Sequence, residues 1–204
     1  MIRIAALILS TFVLSGCQQE VIDSEQLLER EGVYYKSFSD EPFTGMVNGS
    51  LEGEILNGKL EGVIKLWSDD GQLSTVASYE GGVLNGVKKY WTESGRLVTE
   101  SRWVDGEMDG VFETWYSDGR TRSMYLEGEQ SGLFERWSTD GVLVEQSNYR
   151  GGLRHGSFKA WTKSGELLVE QNYIDGVTQG PEYYWHPIGD WICEHKEVEY
   201  HSIW

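Results

Sequence analysis

One short cell recurs along most of this chain, and it limits the possible folds more than any other feature. Gly62, Gly86, Gly110, Gly132, Gly156 and Gly180 are spaced 24, 24, 22, 24 and 24 residues apart. Trp67, Trp91, Trp115, Trp137, Trp161 and Trp185 keep the same spacings, and so do Gly71, Gly95, Gly119, Gly141, Gly165 and Gly189. The cell reads Gly-x3-Gly-x4-Trp-x3-Gly-x-Leu-x5-Tyr-x2-Gly. Its Leu place holds Leu73, Leu97, Leu143 and Leu167, with Trp191 in the last copy; its Tyr place holds Tyr79, Trp103, Tyr125, Tyr149 and Tyr173. The third copy is two residues short between Gly119 and Tyr125. A period of this size is the mark of a repeat array, in which each unit buries its apolar surface against its neighbours.

Each cell predicts two strands and two turns. Val63 to Trp67 is rich in β-formers, Ser68-Asp69-Asp70-Gly71 is a turn, Gln72 to Tyr79 is the return strand, and Gly81 to Gly86 is the next turn. Asp bonds its own backbone in such turns and Gly takes the positive φ they need. Strands joined by tight turns pair antiparallel. The 25 glycines and the lack of a 3.6-residue period exclude helix. The Asp-Gly turns spread their carboxylates one per turn, whereas calcium needs six or more oxygens at one point.

These cells resemble the bacterial variant of the MORN repeat, over about residues 32–190. The segment Gly32-Val33-Tyr34-Tyr35, with Ser39 to Gly45 after it, resembles the N-terminal entry of such proteins. The resemblance implies an all-β, elongated, single-layer twisted antiparallel sheet of repeated hairpins, with no shared catalytic residues. Family members often carry an antitoxin-component label. The division expected is a leader at 1–16, a polar tether at 17–31 with a helical turn near Ser24 to Glu29, a degenerate cap repeat at 32–57, six repeats at 58–190 and a terminal cap strand at 191–204. The degenerate cell keeps Phe43 at the Trp place, Ile55 at the Tyr place and Gly58. About fourteen strands at ~4.8 Å predict a rod of roughly 60 Å.

The recurring Trp and Tyr residues are either the core of the sheet, stacked as ladders, or an exposed stripe that grips a partner. If Trp67 opposes Leu73 across the turn, strand alternation puts Trp67 and Tyr79 on one face. That placement depends on register, because a slip of one residue reverses a strand's faces.

The N-terminus carries a second resemblance. Arg3 precedes a mostly apolar run from Ile4 to Leu14, which closes on Leu14-Ser15-Gly16-Cys17. The run is shorter than the ~20 residues of a spanning helix and has the form of a signal-peptide core. Its end resembles the bacterial lipobox, which implies cleavage before Cys17 and acylation of Cys17. Two or three chains on one Cys anchor firmly, where a single chain binds reversibly. Gln18 stands where inner-membrane lipoproteins carry Asp, which resembles an outer-membrane, periplasm-facing protein.

The chain has 17 basic against 33 acidic residues, a net charge of −16. That argues against nucleic acid and anionic headgroups and favours a basic protein partner. Cys193 is the only other cysteine, so no intrachain disulfide forms once Cys17 is acylated. His186, Cys193, His195 and His201 match no zinc spacing, and no metal or cofactor is expected. Gly-x-Ser-x-Gly, phosphate-loop and His-Glu-x-x-His motifs are absent. His155 occupies a place that holds Asn85, Asp109, Ser131 and Gln179 in other copies, an interchange of polar residues that suits a turn better than a catalytic base. The expected function is non-catalytic: a lipid-anchored module that binds or scaffolds another envelope protein. The alternatives are an immunity protein against a basic toxin and a glycan binder that uses exposed aromatics.

Overall fold

The computed structural model describes residues 19–185 and 191–192, with side chains described up to residue 180. Its main body is a single sheet of 15 strands in nearly sequential order. The regular array begins with β5 (Leu51–Leu56) and β6 (Lys59–Trp67) and continues through β7 (Leu73–Glu80), β8 (Val83–Trp91), β9 (Leu97–Val104) and β10 (Glu107–Trp115). It goes on through β11 (Gly119–Leu126), β12 (Glu129–Ser138), β13 (Leu143–Arg150), β14 (Leu153–Trp161), β15 (Leu167–Ile174), β16 (Val177–Trp185) and β17 (Trp191–Ile192). All these neighbours pair antiparallel, as the repeated hairpins predict.

Two kinds of turn alternate along the two edges of the sheet. On one edge the turn is two residues, both at positive φ: Asn57-Gly58 (50° and 74°), Asp105-Gly106 (49° and 85°), Asp175-Gly176 (48° and 84°) and their equivalents. Those angles are the type I′ turn, whose twist matches that of the strands it joins. On the other edge the turn is longer. Ser68 N–H donates to Gln72 O and Gly71 N–H to Ser68 O, and the arrangement recurs at Thr92–Arg96, Ser138–Val142 and Thr162–Glu166.

Each two-residue turn also bonds to the hairpin before it. Gly82 N–H donates to Leu60 O, Gly106 to Leu84, Gly128 to Met108, Gly152 to Gln130 and Gly176 to Arg154. The side chain three places after the preceding turn's glycine reinforces the link: Glu61 accepts from Gly81 N–H, Asp109 from Glu127 N–H and His155 from Asp175 N–H. This accounts for the polar interchange at the His155 place, which lies inside β14 rather than in a turn.

Gly62, Gly86, Gly110, Gly132, Gly156 and Gly180 are likewise not turn residues. They lie inside β6, β8, β10, β12, β14 and β16 at positive φ. Most of the adjoining pairs break register nearby, as between Ala77 and Tyr79. They are bulge positions, where each strand bends from its ladder toward the neighbouring turn. Gly71, Gly95, Gly141 and Gly165 do occupy turns. Gly119 does not. It opens β11 opposite Ser138, and a Cβ there would lie 1.9 Å from Trp137 O. Gly189 lies outside the described residues.

The N-terminal end departs from the expected tether. Residues 21–30 are built into the fold: β1 (Val21–Asp23) pairs parallel with β4 (Gly45–Asn48), and β2 (Leu27–Arg30) pairs with β3 (Val33–Lys36) in a small second sheet. A single 3-10 turn, Ser24–Gln26, stands where the helical turn was expected. Ile22, Phe43, Val47 and Ile55 form a compact apolar cluster against Leu27, Tyr34, Leu51 and Leu60. Phe43 therefore belongs to this cap core and not to the Trp row. At the far end only Trp191 and Ile192 of the expected cap strand are described, and they pair with β16.

Gly119 offers a direct test of this account. Gly119→Ala forces the β11–β12 ladder apart and is expected to cost several-fold more stability than Gly71→Ala. At Gly71 a Cβ meets nothing within 4 Å and only the positive φ is strained, a penalty of about 1–2 kcal/mol. Urea unfolding of the two variants measures the difference.

Candidate interaction face

The two aromatic series lie on opposite faces of the sheet. Trp67 does pair with Leu73, but the register shifts between Leu66 and Trp67. The shift recurs at Tyr90/Trp91, Arg136/Trp137 and Ala160/Trp161. Each extra residue breaks the simple alternation, so the expectation that Trp67 and Tyr79 share a face does not hold. Trp67 lies with Lys65, and its Nε1 donates to Glu52, the cross-strand partner of Lys65.

One face carries the Tyr series. Phe112, Phe134 and Phe158 meet Tyr125, Tyr149 and Tyr173 edge-on at centroid distances of 5.8, 6.1 and 6.2 Å. In earlier copies Ile64 and Lys88 take the Phe place, and Lys88 Nζ sits 5.9 Å from the Trp103 ring. Small residues face these rings: Ala77, Ser101, Ser123 and Ser147 are all buried. Short side chains let the rings close over the strand, so this face holds the core of the array. The rings themselves are half-buried. The ladders of Tyr and Trp therefore shield the core rather than constitute it. Arg154 crosses this face, stacked 4.5 Å from the Phe158 centroid and bonded to Glu145 and Tyr149.

The opposite face is organised in rows that run across the strands. Glu52, Lys65, Val76, Lys89, Glu100, Glu113, Arg122, Glu135, Gln146, Lys159 and Glu170 are successive cross-strand partners. Ion pairs run along the row: Lys65–Glu52 at 2.7 Å, Lys89–Glu100 at 3.1 Å and Lys159–Glu170 at 3.0 Å. The Lys65 ammonium holds the exposed Glu52 carboxyl below the usual carboxylate range. Glu100 and Glu113 are directly opposed, a repulsive pair, and Arg120 and Arg122 stand 3.9 and 3.8 Å from Glu113. Surface pairs of this kind contribute about 0–1 kcal/mol each, so the row defines a charge pattern more than it stabilises the sheet.

Beside this row runs the Trp row. Trp67, Trp91, Trp115, Trp137 and Trp161 are half-buried, and Arg120 stacks 4.3 Å from the Trp137 centroid. On the far side of the charge row from the indoles, Val63, Val87 and Leu133 are exposed. Among the described residues the sheet has no second layer here, so indoles, aliphatics and paired charges are presented to solvent. The side chain of Trp185 falls outside the described set, as do Cys17, His186, Cys193, His195 and His201. Among the described residues no three His, Cys, Asp or Glu side chains gather as metal ligands.

Ser147 provides the test of the buried face. Its Oγ is enclosed without a hydrogen-bond partner among the described residues, and an unmet hydroxyl costs about 1–3 kcal/mol. Ala77 fills the same place in the first copy. Ser147→Ala is therefore expected to raise stability by up to about 1 kcal/mol, seen as a higher urea midpoint with unchanged slope.

A comparison with curated proteins gives no match to the chain. A family model does match: residues 154–175 fit the MORN repeat variant. The matched segment runs through β14 and β15 to the two-residue turn at Asp175, and Gly176 of that turn bonds back to Arg154. Residues 154–175 are thus similar to one MORN repeat variant, and they sit in an array of antiparallel hairpins that, apart from the shortened β10–β11 turn, repeat their pairing.

Proposed function

We propose that this protein is a non-catalytic, lipid-anchored envelope protein whose repeat rod binds or scaffolds another protein through the tryptophan face. MORN repeats are generally linked to protein or membrane interaction. The observation that carries the reading is the continuous solvent-facing surface on which a Trp row and a charge row run side by side across the sheet. Trp is enriched at interface centres, and the charged row beside the indoles suits the polar rim around one. The net charge of −16 steers a basic partner toward the rod.

In this reading Cys17 bears the lipid and the protein faces the periplasm from the outer membrane. The short link from Cys17 to β1 at Val21 spans no more than about 15 Å. The rod would then start at the membrane surface instead of hanging from a long tether. Cys17→Ala is expected to leave the precursor uncleaved and unlabelled by a fatty-acid analogue in cells; normal labelling would refute the anchor.

The partner is tested by crosslinking in cells. Glu113→Lys with Glu135→Lys reverses two acids of the charge row, and the double variant is expected to lose the partner captured by wild type. Circular dichroism of the variant checks that the sheet persists. Undiminished capture by a folded variant removes the tryptophan face as the binding surface.

A further inference from the structure

The third copy departs from its neighbours at one place. Its turn lacks two residues, so Tyr116 N–H bonds Gly119 O directly, and β10 pairs with β11 without a bulge. The shortened turn brings Arg120 into the Trp row. Arg120 pairs with Trp115 on one side and Trp137 on the other. The corresponding place in the other copies is Ser74, Val98, Val144 or Leu168.

A cavity of about 260 Å³ opens at this point, lined by Tyr116, Arg120, Arg136, Trp137, Trp161 and Lys163 among others, with Asp118 as its one acid. Arg136 is engaged by Glu145 at 3.2 Å. Arg120 reaches Glu113 only at 3.9 Å. Lys163 makes no ion pair among the described residues, and its place in the other turns holds Asp69, Glu93, Ser117 or Thr139. The niche beside Trp67 is lined instead by Glu52 and Asp69. One array thus carries the same indole in an acidic setting at one end and in a basic setting here, within a strongly acidic chain.

We propose that this niche binds a saccharide bearing an anionic group, carboxylate or phosphate. The volume suits a single ring, being below the range of about 300–1,000 Å³ typical of drug-sized sites. The C–H face of a pyranose packs on the electron-rich face of an indole. The anionic group pairs with the Arg120 fork and the Lys163 ammonium. The site shares the tryptophan face with the protein partner proposed above but needs only the indoles, Arg120 and Lys163, so a failure of partner capture leaves it standing.

The test is titration of the detergent-solubilised full-length protein, read by tryptophan fluorescence. Glucuronic acid, glucose 6-phosphate, glucose and inorganic phosphate are the probes. At least one charged sugar is expected to shift the emission, with glucose and phosphate each ~10-fold weaker or more, a gap of about 1.4 kcal/mol. Preference for glucuronic acid points to carboxylated glycans as the source, and preference for glucose 6-phosphate to phosphorylated sugars. Arg120→Ser, which installs the first-copy residue, and Lys163→Ala are each expected to weaken binding ~10-fold with unchanged circular dichroism. The proposal is overturned by equal response to glucose, by equal response to phosphate alone, by no response to either charged sugar, or by folded variants that bind like wild type.

Discussion

A sheet one layer thick has no opposing layer to dehydrate either face, so its strands must be held by bonds between near neighbours. In this protein the decisive one is the hydrogen bond from each two-residue turn to the hairpin before it, as from Gly176 N–H to Arg154 O. It chains successive turns along one edge. It also requires each even-numbered strand of the array to bend from its ladder, which is why Gly62 and its equivalents sit at positive φ within strands. The bulges, the placement of the rings and the separation of the two faces all follow from that bend and from the second register shift at Trp67, Trp91, Trp137 and Trp161.

The separation of faces gives the rod two surfaces with different work. On the tyrosine face, Phe and Tyr rings close edge-on over Ala and Ser, and the smallest side chains become the most buried. On the tryptophan face the indoles stay half-buried, with no second layer over them among the described residues, and most of the neighbouring acids and bases pair along a row. Burial on the first face supplies stability, since area removed from water contributes about 25 cal/mol per Å². The second face is left free to differ from copy to copy. The substitution of Arg120 into the Trp row shows how one shortened turn converts a repeated surface into a distinct local site.

The N-terminal cap closes an exposed sheet edge, where unpaired N–H and C=O groups invite pairing with other chains. β1 covers β4 in parallel, and the buried Ile22, Phe43, Val47 and Ile55 tie the end of the array down. A polar composition concealed this role from the sequence. Gln18 to Glu31 contains few apolar residues, yet Ile22 is buried in the cap core and Leu27 packs against it.

The sequence by itself determined the all-β array, its hairpin period and its antiparallel order. Glycines and aromatics recurring at one interval specify local geometry, and local geometry repeats wherever the interval does. Only the tertiary structure decided which glycines turn the chain and which bulge it, that residues 21–30 belong to the fold, and that Trp and Tyr face opposite ways. Those outcomes rest on hydrogen bonds between hairpins and on register shifts of one residue. A shift of one residue reverses a side chain across a sheet while leaving the period of the sequence unchanged.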